Sequence, residues 1–264
     1  MATVEVITST SNPLIKDVRQ AVARGGLTAD GCCVAETLHL LEEAFRSESE
    51  VRAVICAESA RSAVQKHLRR LGQVRVAIVP DTVFRFLSTV DRSQGVLALV
   101  RPPVWTLAQL FHGHVLVVVL DGIQDPGNAG AVLRTAEAFG ATGVILLKGT
   151  VSPFNPKAVR ASAGSLFRLP LIWGADANLT LAALRDNELE VYAATPSGRI
   201  LAAQADFRRR CALVIGSEAR GVREPLRSAA VDVRIPTVRV ESLNAAVAAG
   251  ILLYEAWRQR TQAP

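Results

Sequence analysis

Residues 115–134 read VLVVVLDGIQDPGNAGAVLR, an apolar run that passes through a turn into a second run of small and apolar residues. Val115 to Leu120 form an apolar run with no polar face, the pattern of a strand covered on both sides of a parallel sheet. Asp121 to Gly127 supply a turn rich in glycine, and the small and apolar residues from Asn128 onward open a helix. A buried strand feeding a helix through such a turn exposes backbone N–H groups at the positive helix end, a natural site for phosphate. The spacing is neither the G-x-G-x-x-G fingerprint of dinucleotide-binding folds nor a P-loop. Asn128 is suited to cap the helix. Arg134 lies six residues further on, between apolar neighbours, and a solvated charge is its plainest reading.

The alternation continues downstream. Apolar runs at 143–147, 190–194, 211–215 and 231–235 read as further strands, and 128–139, 155–163, 179–187, 224–229 and 243–260 read as helices. Strands that alternate with helices in this way predict an α/β domain built on a parallel sheet. Upstream, Pro102-Pro103 interrupts any strand or helix and marks a seam. The first 101 residues read as a smaller αβ domain, with strands at 51–56, 74–79 and 95–100 and helices at 13–23, 37–46 and 60–71. Two domains are expected, 1–101 and 105–264.

Half of the 264 residues are hydrophobic and a fifth are charged, a composition able to bury a core. Residues 2–16 contain no apolar run of secretory-signal length, and no window approaches the ~20 apolar residues of a membrane span. A cytoplasmic protein is expected. Cys32, Cys33, Cys56 and Cys211 form no C-x-x-C pair and read as buried thiols. The four histidines show no metal-ligand spacing, so no metal is expected. The net charge of +6 comes almost wholly from arginine, since lysine occurs only at Lys16, Lys66, Lys148 and Lys157. Arginine suits bidentate phosphate contact and stacking on bases, and the balance fits a nucleic-acid partner.

Two further constellations repeat the strand-into-turn pattern. Leu213-Val214-Ile215 runs into Gly216-Ser217-Glu218-Ala219-Arg220-Gly221, where the glycines allow a close backbone approach to a ligand. Glu218 suits a general base, a hydroxyl acceptor, or an acidic residue near a helix start. Val233-Arg234-Ile235-Pro236 is followed by Thr237-Val238-Arg239 and then Ser242-Leu243-Asn244, which opens an alanine-rich helix with Ser242 as its expected N-cap.

In this order, the three motifs resemble those of the SpoU-type RNA 2′-O-ribose methyltransferases of the SPOUT superfamily. Asn128, Gly130 and Arg134 match the first motif; Gly216, Glu218 and Gly221 the second; Ile235, Pro236, Ser242, Leu243 and Asn244 the third. Relatives usually carry a Met and a Gly where Thr237-Val238-Arg239 stands, in a stretch about one residue longer. The first 101 residues resemble the family's substrate-binding domain through Ile7-Thr8-Ser9, Asn12-Pro13, Lys16 and Gln94-Gly95-Val96-Leu97-Ala98.

The resemblance implies methyl transfer from S-adenosylmethionine to a ribose 2′-hydroxyl, in large-subunit ribosomal RNA or else transfer RNA. It assigns the chemistry to Arg134, Asn128, Glu218, Ser242 and Asn244. It gives cofactor contacts to Gly216, Ser217, Glu218, Ile235, Leu243 and Asn244, and RNA contacts to Lys16 and Arg160. It also implies a trefoil-knotted catalytic domain and a homodimer joined through helix 243–260. A guanidinium rarely gives up its proton, so Arg134 is expected to stabilise the developing alkoxide, while Glu218 holds Arg134 or a nearby backbone. An RNA-binding protein of the same fold without catalysis is the rival reading. A Rossmann-like nucleotide enzyme lacks its fingerprint here.

Overall fold

The computed structural model describes residues 4–68 and 74–262. The chain divides into two compact units, Met1–Pro103 with Ser152–Arg168, and Val104–Val151 with Leu169–Pro264.

The first unit opens with β1 (Val4–Val6), α1 (Pro13–Arg24), β2 (Cys33–Glu36), α2 (Leu38–Arg46), β3 (Glu50–Ala57) and α3 (Arg61–Leu68), and continues through β4 (Arg75–Val79), α4 (Asp81–Leu87) and β5 (Val96–Arg101). The sheet order is β1-β4-β3-β5-β2. The first three strands run parallel, and β5 pairs antiparallel with both β3 and β2. Ile15 and Val18 of α1 and Phe84 and Leu87 of α4 pack on Ile55, Ala77 and Leu97 of the sheet. Residues 69–71 of the expected third helix lie outside the described residues.

The second unit contains β6 (Leu116–Asp121), α5 (Pro126–Ala138) and β7 (Gly143–Leu147). Helix α6 (Pro156–Ser162) follows in the chain but belongs to the first unit. The second unit resumes with β8 (Leu171–Ala175), α7 (Ala177–Asp186), β9 (Glu190–Ala194), β10 (Ile200–Leu201), β11 (Cys211–Gly216), α8 (Leu226–Ala229), β12 (Val231–Arg234) and α9 (Ala245–Thr261). Its sheet, ordered β10-β12-β9-β11-β6-β7-β8, is parallel throughout. Leu116 to Leu120 are fully buried, as a strand covered on both faces requires. Among the described residues no helix is long and apolar enough to cross a membrane.

Both expected N-caps are displaced by a few residues. Asp125, not Asn128, caps α5: its Oδ1 accepts the Asn128 N–H at 2.8 Å, and Pro126 fills the first helical position. Asn244, not Ser242, caps α9: its Oδ1 accepts the N–H groups of Ala246 and Val247 at 2.9 and 3.3 Å. Ser242 and Leu243 therefore stay outside the helix. Helix 224–229 shortens to α8, and β1, β2, β8, β10 and α4 are additional to the expected elements.

Residues 152–168, which the expected domain 105–264 would include, pack into the first unit instead. Arg168 donates to Glu43 Oε2 at 2.6 Å. Gly164, at φ +95°, lies so close to Glu43 that a Cβ there would stand 2.6 Å from the Glu43 Cβ. Arg160 donates to Thr89 Oγ1 and lies 3.7 Å from Glu36. The Glu36 carboxylate is buried and accepts from Ser88, Ser93 and both donors of Thr89. A buried carboxylate holds its charge only among donors of this kind. All four cysteines are free and buried; burial pushes the Cys33 thiol up to about 12 and those of Cys56 and Cys211 to about 11.

Candidate active site

Three loops meet at the carboxyl ends of the strands of the second unit, where open parallel sheets bind ligands. The first follows β6. Gly122 turns the chain at φ +75°, and its N–H reaches Thr150 Oγ1 at 3.0 Å. The Gln124 amide donates to the carbonyls of Gly122 and Gly149 at 2.9 and 2.6 Å. With Asp125 capping α5, the Asn128 side chain is left free to act elsewhere. Its Nδ2 donates to Glu218 Oε1 at 2.9 Å, and its Oδ1 accepts from Asn244 Nδ2 at 3.1 Å. One amide thus joins all three motifs.

The second loop folds back on itself. The Gly221 N–H donates to the Ser217 carbonyl at 2.8 Å, Ser217 Oγ accepts the Arg220 N–H at 3.2 Å, and Gly221 sits at φ +62°. Gly216 was expected to make room for a ligand, but its bare Cα faces the returning chain: a Cβ would lie 2.1 Å from the Gly221 carbonyl carbon. The missing side chain lets the turn close. The third loop, after β12, is closed by Thr237 Oγ1, which donates to the Val240 carbonyl at 2.7 Å.

Between these loops lies a cleft. Its walls include Ile215, Val233, Ile235, Leu243, Ala245 and Ala248, and its polar lining Thr195, Ser217, Glu218, Thr237, Glu241 and Ser242. Among the described residues, no lysine or arginine lines it. Apolar walls suit a flat aromatic base, and two carboxylates suit a cationic ligand.

Of the expected cofactor contacts, Gly216, Ser217, Glu218, Ile235 and Leu243 line the cleft, whereas Asn244 is engaged with Asn128 and the start of α9. Asn128, Glu218 and Asn244 are brought together, and Ser242 lies on the cleft wall. Arg134 is exposed on α5 and, among the described residues, makes no hydrogen bond or ion pair. Glu218 is not its partner, because the Glu218 carboxylate is turned to Asn128. Lys16 is exposed on α1. Arg160 points into the first unit, toward Thr89 and Glu36. Sequence reasoning missed Thr195 and Pro196, which follow β9, and the pair Asp121–Arg223. The one available signal was an aspartate ending an otherwise apolar strand.

Residues 115–254 match the SpoU rRNA Methylase family, and residues 12–98 match an MRM3-like substrate binding domain. An uncharacterised tRNA/rRNA methyltransferase of Synechocystis is 33% identical over 96% of this chain and 94% of its own length. The 23S rRNA (guanosine(2553)-2′-O)-methyltransferase RlmP of Bacillus subtilis is 28% identical over 94% of this chain and 97% of its own. The SpoU methyltransferase AviRb of Streptomyces viridochromogenes, solved with the cofactor AdoMet, superposes with a TM-score of 0.84 at 26% identity, covering 96% of this chain and 100% of that one. An AdoMet-bound rRNA methyltransferase from Sinorhizobium meliloti gives 0.81 at 29% identity, with coverage of 97% and 98%.

The geometry at Gly216 predicts that Gly216→Ala destabilises the ligand-free protein by about 1–3 kcal/mol, since the methyl meets backbone that cannot swing aside. Urea unfolding checks this. An unchanged midpoint would mean that the bare Cα serves only ligand approach.

Proposed function

The chain belongs to the SpoU rRNA methylase family, and from that membership we propose an enzyme that methylates a ribose 2′-hydroxyl of large-subunit ribosomal RNA. The observation that carries the reading is the Asn128 amide, which draws the three motif loops together beside the cleft while Arg134, two turns along the same helix, keeps its guanidinium free. The 23S rRNA specificity of the Bacillus relative favours ribosomal over transfer RNA. A cytoplasmic location accords with that substrate. We read the first 101 residues as the RNA-binding domain and residues 105–264 as the catalytic one, with 152–168 lodged in the former.

The family's cofactor is S-adenosylmethionine, and the cleft fits it. Apolar side chains of Ile215, Ile235 and Leu243 would flank the adenine, and the carboxylates of Glu218 and Glu241 would favour the cationic methionine part. When bound, it supplies an electrophilic methyl on a sulfonium. The protein's own task is to align the ribose oxygen and to stabilise its developing negative charge. Arg134 does this as a permanent cation, lowering the hydroxyl pKa and holding the adjacent phosphate. Asn128 and Asn244 keep the start of α5 against the start of α9, and Ser242 offers a hydroxyl at the cleft wall. Glu218 acts on the loop through Asn128 and leaves Arg134 free for substrate. Lys16 is an RNA contact in this reading. Arg160 shapes the first unit from within.

The reading includes a trefoil knot in the catalytic domain, and a homodimer. Support for the dimer comes from α9, whose Ala249 and Leu253 are buried in the chain itself. Val247, Ile251, Tyr254 and Trp257 are exposed at helical spacing on another face, 39–51% accessible. Phe139, just past the end of α5, extends that face, its ring 5.7 Å from Tyr254 and 6.2 Å from Trp257. An apolar stripe of this kind is covered by a partner.

Two outcomes follow. Arg134→Ala lowers the rate of methyl transfer by about 10²–10³ while the calorimetric affinity for S-adenosylmethionine stays the same; an equal loss of cofactor affinity would move Arg134 into the cofactor site. Ile251→Glu turns the dimer into a monomer in sedimentation and removes methylation with it. Wild-type protein that sediments as a monomer at micromolar concentration and still methylates RNA would refute the dimer.

A further inference from the structure

We infer that Arg223, which lies outside all three sequence motifs, is a positioning residue that holds the cofactor loop 216–222 in its binding shape. The inference rests on the reading of the cleft as the S-adenosylmethionine site. The loop leaves the sheet at Gly216, which lies directly beside Asp121 in the parallel register of β11 and β6. It returns at Arg223, and there the same aspartate takes hold of it. Asp121 Oδ2 accepts the Arg223 backbone N–H at 2.7 Å, and Oδ1 accepts Arg223 Nε at 2.7 Å. Arg223 Nη2 also donates to the Lys148 carbonyl at the end of β7, at 2.9 Å. Both ends of the loop are therefore fixed to one residue, the last of β6.

The arrangement is selective about chemistry. The Asp121 side chain is 1% exposed, so its charge depends on Arg223 and on nothing in solvent. A guanidinium can serve a carboxylate and a carbonyl at once because its donors form a rigid fork. A lysine ammonium would reach the carboxylate without spanning to Lys148. The loop so held carries Gly216, Ser217, Glu218 and Gly221 along the cleft wall. Releasing its far end would let these groups spread over many positions, and cofactor would then have to order them on binding.

The test uses the full-length protein, with S-adenosylmethionine as the titrant and ribosomal RNA as the methyl acceptor. Arg223→Ala should raise the cofactor Kd and KM about tenfold or more while kcat at saturating cofactor stays within about twofold. Arg223→Lys should recover part of the affinity. A merely structural role would reduce kcat in proportion to the folded fraction and leave KM unchanged, and that result overturns the inference. If Arg223→Ala does not fold, Arg223→Lys decides: a raised KM supports the inference, and a wild-type KM refutes it. Absence of cofactor binding by the wild-type protein would overturn the reading of the cleft, and this inference with it.

Discussion

The Asn128 side chain is the junction on which the rest of the site depends. A carboxamide offers a donor and an acceptor on one planar group. Here the donor goes to Glu218, at the tip of the loop after β11, and the acceptor takes the amide of Asn244, at the start of α9. An ionised carboxylate has nothing to donate to Glu218, and a hydroxyl is too short to stand in for both arms. The junction works only because β11 lies beside β6 in the sheet and because α9 packs on α5. It further requires that some other residue cap α5. Asp125 does so, and Pro126 in the first helical position removes an N–H that would otherwise need a partner.

From this junction outward, each loop is closed by its own device. Gly216 lets the second turn fold onto itself without a colliding Cβ, Thr237 ties the third loop to the Val240 carbonyl, and Asp121 secures the base of the second. Polar groups are thereby spent on shaping backbone, and the cationic group with most to offer a substrate, Arg134, remains without a protein partner among the described residues. Such an arrangement suits a reaction in which developing charge must be met by a preformed group rather than by one recruited during the step.

Much of this was legible in the sequence. Uninterrupted apolar strands such as 115–120 announced the parallel sheet, and the three turn motifs identified the family and most of the cleft. Misreadings arose where the sequence offered two candidates for one role. Asp125 and Asn128 can each cap α5, and Ser242 and Asn244 can each cap α9; intrinsic preference does not choose between them. The proline at 126 was the discriminating signal for the first. Strand β2 was hidden because it ends in Glu36, a charge that periodicity places outside and that only the distant residues Ser88, Thr89 and Ser93 make tolerable inside. Arg160 and Gly216 were assigned outward roles for the same reason: the groups that occupy them lie far away in sequence or arrive by chain reversal.

Methylation at a ribose oxygen is tested most directly by labelling ribosomal RNA. Wild-type protein is incubated with ribosomal RNA lacking its own modifications and with S-adenosylmethionine labelled in the methyl group, and the product is hydrolysed in alkali. A 2′-O-methyl group removes the hydroxyl that alkaline cleavage needs, so label is expected in alkali-resistant dinucleotides at one position of the large-subunit RNA. Label confined to mononucleotides, as a methylated base would give, or no label from protein that binds the cofactor, would contradict it.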